Sequence, residues 1–113
     1  MSKRSESLLL QDILESGEKI QRYVQGMTFE QFQSDEKTID AVARNFEIIG
    51  EAANNLSEGT RKKIGETDWN RVKGFRNRLV HEYFGLDYSI VWNVIQNFLP
   101  KMIQAIKSLG SQE

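Results

Sequence analysis

The sequence predicts an all-α fold: an antiparallel bundle of four main helices, the last of them kinked. Three observations carry that prediction. Every long segment repeats its apolar residues at helical spacing, the 113 residues include one proline, and the breaks between segments are short. The length suits one hydrophobic core and not two, so residues 1–113 read as a single domain with its core across about residues 5–108. With 39% hydrophobic and 27% charged residues, the composition is that of a globular chain.

The first helix is expected from about Ser5 to Gln25, with Leu9, Leu10, Ile13, Leu14, Ile20 and Val24 as its apolar stripe. "GMTFEQF" then reads as a short turn in which Phe29 and Phe32 plug the end of the bundle. Asp35 is placed to cap a second helix whose buried stripe is Ile39, Val42, Phe46, Ile49, Ala53 and Leu56. "LSEGTRKKIGETD" reads as a connector, with Ser57 and Asp68 as caps. The third helix is expected from near Asp68 to at least His81. "YFGLD" turns the chain, Gly85 serving as a stop and Asp87 as the next cap. The last helix carries Val91, Trp92, Ile95, Phe98, Met102, Ile106 and Leu109, and Pro100 is expected to kink it by removing a hydrogen bond.

Composition narrows the chemistry. Without cysteine, neither disulfides nor thiolate metal sites can form, and one histidine excludes a histidine-rich metal site within one chain. The longest apolar run is "LLL" at Leu8–Leu10, too short for a membrane span or a signal peptide, so no membrane association and a cytoplasmic location are expected. Charge is unevenly spread. Residues 5–60 hold eleven Asp/Glu to four Lys/Arg, a balance of −7, whereas residues 61–81 hold seven Lys/Arg to two Asp/Glu, a balance of +5. The basic block is a candidate footprint for a polyanion, against the plainer reading of a solvated helix face.

That block ends in "RNRLVHEYF", Arg76 to Phe84, which contains the single histidine. At about 100° per residue, Val72, Phe75 and Leu79 share a narrow arc that must face the core. Asn70, Gly74, Asn77 and His81 fall roughly opposite, with Arg71 and Arg78 at the edge. Asn77 lies one turn before His81, so their side chains can meet. Gly74 costs a helix about 1 kcal/mol relative to alanine, which points to close approach by a partner helix or a nucleic-acid backbone. Arg76 stands about 140° from His81 on an ideal wheel, so its long side chain or a second subunit is needed to unite them. Metal-free RNA cleavage needs a base for the 2′-hydroxyl, an acid for the leaving oxygen and a cation for the phosphorane-like charge. One histidine fills one proton-transfer role at a time, while arginine supplies a permanent bidentate phosphate contact. A nuclease reading therefore requires two copies, paired through the third-helix face.

"RNRLVHEY" is similar to the Arg-x4-His-x-Tyr signature of the HepT-like family in the HEPN superfamily. "FEIIGEAANNLSE" resembles its Gly-Glu-Ala segment, and the resemblance extends over roughly residues 5–108. It implies an all-helical domain that dimerises around its motif and acts as the metal-independent ribonuclease toxin of a toxin–antitoxin pair. Transfer RNA is the implied substrate class. Arg76 and His81 are then the catalytic residues, Asn77 supports them, and Arg71, Lys73 and Arg78 are RNA-binding candidates. The implied partner is an MNT-type nucleotidyltransferase antitoxin that uses ATP to adenylylate Tyr83, placing phosphate charge beside Arg76 and His81. No cofactor or metal of the chain's own is expected. The alternative is a non-catalytic subunit that presents nucleotide or substrate to a transferase.

Overall fold

The computed structural model describes residues 4–64, 69–81 and 87–111, the side chains of 76–81 and 110–111 excepted. Helix α1 spans Glu6–Tyr23. Ser5 starts it, its Oγ accepting the Leu8 N–H at 3.3 Å and so satisfying one of the four donors a helix start leaves open. Beyond its end, Gly26 takes φ 78°, the left-handed conformation open to glycine without a Cβ penalty.

The segment expected to be a turn is a six-residue helix, α2, Phe29–Ser34. Thr28 Oγ accepts the Gln31 N–H at 3.1 Å while Gln31 Oε1 accepts the Thr28 N–H at 2.9 Å. This reciprocal box stabilises a helix too short to hold on propensity alone. The two phenylalanines do plug the bundle. Phe32 is fully buried, and the Phe32 and Phe29 rings lie 5.2 and 6.3 Å from the Trp92 ring.

Asp35 caps α3, Glu36–Asn54, by accepting the Thr38 N–H at 3.1 Å. The stripe Ile39, Val42, Phe46, Ile49 and Ala53 is buried as expected, and Leu56 is buried just beyond the helix end. The expected connector contains a second short helix, α4, Glu58–Lys63, whose cap Ser57 accepts the Thr60 N–H at 3.1 Å. Helix α5 spans Trp69–His81. Asp68 and Gly85, read as a cap and a stop, lie outside the described residues.

Asp87 accepts the Ser89 N–H at 2.8 Å and opens α6, Tyr88–Asn93. A π-helical turn, Val94–Phe98, continues α6 without a break into α7, Leu99–Ser111. There the Leu99 N–H reaches back five residues to the Val94 carbonyl. Pro100 explains the position of this turn. It has no N–H to give, and its ring crowds the carbonyl four residues earlier, that of Gln96. Widening the preceding turn relieves both problems, so a π-helical turn stands where a kink is expected.

The main helices assemble as the apolar stripes require. At one end of the α1–α3 pair the Ser57 N–H donates to Glu6 Oε1 at 2.8 Å, so the start of α1 meets the end of α3 and the two run antiparallel. Helix α7 closes on α1 where Gly17 lets the side chains of Ile103 and Leu99 approach to 3.2 and 3.3 Å from the position of a Cβ. Ile13, Ile20, Phe32, Val42 and Leu99 have no exposed surface, and each such side chain contributes roughly 1.5–3 kcal/mol of burial. Among the described residues no helix is long and apolar enough to cross a membrane.

Candidate nucleic-acid interface

Helix α5 carries the basic block into the bundle, and its first half shows how the helix is oriented. Val72 is buried and Phe75 half-buried, the Phe75 ring standing edge-on to Phe46 of α3 at 4.9 Å and 85°. Asn70, Arg71, Lys73 and Gly74 are exposed. The inner and outer faces expected from the wheel are therefore those the helix adopts over its described side chains.

Arg76, Asn77, Arg78 and His81 lie on the α5 backbone, and their side chains lie outside the described residues. Tyr83 is outside them altogether. By helical register, positions 74, 78 and 81 follow Arg71 along one strip of α5, with position 77 at its edge, while position 76 lies nearer the core arc.

Among the described residues, two recesses lie against this helix. The larger, about 210 Å³, lies between α3, α5 and the α6–α7 helix. Phe46 and Ile49 of α3 form its floor, Val72 and Phe75 one wall, and Val94 and Phe98 the other. Arg71 and Gly74 stand at its rim, both exposed. The Arg71 guanidinium sits 6.0 Å from the centroid of the Phe98 ring, at the limit of cation–π attraction. A Cβ on Gly74 would meet no atom of the described residues within 4 Å. Among the described residues, no other helix makes the close approach that the sequence reading expected at this glycine.

The smaller recess is lined by Gly50 and Asn54 of α3, Arg61 of α4 and Trp69 and Lys73 of α5. Trp69 Nε1 donates to the Arg61 carbonyl at 3.2 Å, tying the start of α5 to the end of α4. Arg61 Nε is buried without a hydrogen-bond partner among the described residues. The sequence reading singled out neither Trp69 nor Phe98 for the site. Phe98 reaches α5 from the π-helical turn, and the only sequence signal for that turn is Pro100 two residues later.

The chain matches the family model "Ribonuclease HepT-like" over residues 13–109. It is 38% identical over 109 residues to a candidate RNase, MJ0127, of Methanocaldococcus jannaschii, covering 96% of this chain and 90% of the relative. A candidate RNase of Caldanaerobacter subterraneus subsp. tengcongensis, TTE0752, is 36% identical over 104 residues, 92% of this chain and 93% of that one. A candidate ribonuclease HepT of Thermococcus cleftensis is 36% identical over 100 residues, 88% of this chain and 91% of that protein. No solved structure matches the chain. The chain belongs to the HepT-like ribonuclease family. The resemblance drawn from the Arg-x4-His-x-Tyr motif holds at the level of the family, and the all-α bundle agrees with it.

Proposed function

We propose that this protein is a metal-independent endoribonuclease that acts as the toxin of a HepT/MNT-type pair. In this reading it works as a dimer whose cleft is lined by α5 from each copy. The observation that carries the reading is the orientation of α5. The helix buries Val72 and leaves Arg71, Lys73 and Gly74 exposed, and by register position 81 follows Arg71 and Gly74 along one side of α5 within a ribonuclease family domain.

The chemistry follows from the residue types. His81 exchanges protons with the 2′-hydroxyl and the leaving 5′-oxygen, one role per copy, so two copies complete the acid–base pair. Arg76 neutralises the charge that builds on the phosphorus-bound oxygens. Asn77, one turn before His81, orients either group. Arg71, Lys73 and Arg78 hold the RNA backbone on both sides of the scissile bond. Transfer RNA is the substrate class carried by the family resemblance. An MNT-type nucleotidyltransferase partner silences the site by transferring AMP from ATP to Tyr83, which sets a phosphate where the substrate phosphate would bind.

The test is to incubate purified protein, free of adenylylation, with total RNA in EDTA, comparing wild type with His81→Ala and Arg76→Ala. Wild type is expected to cut, and each variant to lose about 10²–10⁴-fold of the rate. Equal cleavage by all three, or none by wild type, would overturn the reading. Intact mass after co-expression with the partner transferase reads the regulatory half: the mass of one or more AMP groups mapped to Tyr83 is expected. A stable unmodified complex together with no RNA cleavage would point instead to a non-catalytic, nucleotide-presenting subunit.

A further inference from the structure

We infer that the recess between α5 and the π-helical turn is a binding slot for a single unpaired nucleobase of the RNA. The inference rests on the ribonuclease reading and adds to it a subsite that grips the strand beside the motif. Size is the first argument. A dry apolar cavity of about 150 Å³ accepts a benzene ring, and this recess offers about 210 Å³, enough for a larger heteroaromatic ring. The lining is the second. Phe46, Phe75 and Phe98 present three aromatic rings to one space, and base–aromatic stacking is how single strands are held without regard to sequence.

The rim supplies the third argument. Arg71 sits at the mouth over Phe98, in position to stack on an entering base and to meet the phosphate attached to it. Among the described residues, every other side chain in the lining is apolar. A base that buried its hydrogen-bonding edge there would leave polar atoms unpaired, at a cost. The base therefore enters by its ring face and keeps its pairing edge toward the mouth, which makes the slot selective for unpaired over paired nucleotides and tolerant of base identity.

Gly74 completes the case. It lines the recess, and a Cβ there would meet no described atom within 4 Å, so a larger side chain can be placed beside the opening without a clash among the described residues. Position 81 lies on the same strip two turns further on, about 10 Å along the axis. A base held at Gly74 therefore places its strand alongside the motif. A second copy is the competing occupant. It would bring two sets of α5 cations face to face, an arrangement favoured by a polyanion between them rather than by direct contact.

The test uses the full wild-type chain and a short 2′-O-methyl oligonucleotide, which lacks the attacking hydroxyl and stays intact. One nucleotide carries 2-aminopurine, and a matched strand is abasic at that position. Binding is expected to quench the 2-aminopurine, and the base-bearing strand is expected to bind more tightly than the abasic one. Gly74→Leu, which places a larger side chain beside the opening, is expected to weaken the base-bearing strand about tenfold and leave the abasic strand unchanged. Phe98→Leu, from the opposite wall, should act in the same direction.

Identical binding of both strands by wild type, or unchanged binding by both variants, would overturn the slot. So would a Gly74→Leu protein whose mass by light scattering falls relative to wild type, because the recess would then be a contact between copies. The EDTA cleavage assay separates the two ideas. Cleavage by wild type with unquenched 2-aminopurine removes the slot alone, and no cleavage removes the ribonuclease reading whatever the fluorescence shows.

Discussion

Two glycines inside helices divide this molecule into a closed side and an open side. Gly17 of α1 is buried, with Ile103 and Leu99 of α7 pressed to within 3.3 Å of where its Cβ would stand. Gly74 of α5 is exposed, and among the described residues a Cβ there would meet nothing within 4 Å. Each costs its helix about 1 kcal/mol. At Gly17 that cost is offset by close helix packing, so the glycine belongs to the fold. At Gly74 no described residue gains a contact from the missing side chain, and the proposed base slot supplies the offsetting gain. A helix glycine read from sequence alone cannot be assigned to either case, because what lies opposite it is a tertiary fact.

The largest effect is expected on the closed side. Phe32 is fully buried beneath Trp92 and in the core that α2 seals, so Phe32→Ala should cost about 3–5 kcal/mol in urea or thermal unfolding. A loss below about 1 kcal/mol would mean that α2 is an appendage rather than the plug of the bundle.

Next comes the glycine pair itself, where opposite signs are expected. Gly17→Val pushes branched methyl groups into Ile103 and Leu99 and should destabilise by about 1–3 kcal/mol. Gly74→Ala adds a methyl that meets no described residue and removes the glycine penalty, so it should stabilise by up to about 1 kcal/mol. If the two substitutions shifted stability in the same direction, the contrast between the sides would fail.

These contrasts also mark how far the sequence could be read. The long helices were legible because stripes such as Ile39, Val42, Phe46 and Ile49 repeat over several turns, and because Asp35, Ser57 and Asp87 announce helix starts locally. Helices α2 and α4 were missed because six residues hold too little period to distinguish a helix from a turn. Leu99 and Ile103 went unremarked although buried, since their place opposite Gly17 depends on how α7 meets α1. The exposed face of α5 was legible from the wheel. The recess was not, because it is built from three helices distant in sequence and from a π-helical turn that shifts the register ahead of Pro100. The motif can be read from the sequence only as residue types and spacing, and helical register alone does not bring together the Arg76 and His81 that the proposed chemistry needs.

The smallest effect tests a feature that both sides share, the side-chain cap. Asp35 begins α3, the helix that floors the recess with Phe46 and Ile49 and packs on α1. The Thr38 backbone N–H, followed by the Thr38 side chain, holds the Asp35 carboxyl below the usual carboxylate range. A carboxylate with a lowered value in the folded state contributes stability above its unfolded pKa of about 4 and loses it as pH falls through the folded value. Asp35→Asn keeps an oxygen to accept the Thr38 N–H but cannot titrate. Wild type and variant should therefore differ most near neutral pH and converge as pH drops below about 4, read by unfolding midpoints across the acid range. Asp35 is half-buried at the surface and its charge is screened by solvent, so the difference will be small. A gap that stayed constant with pH would show that the charge of Asp35 contributes nothing and that only its hydrogen bond holds the start of α3.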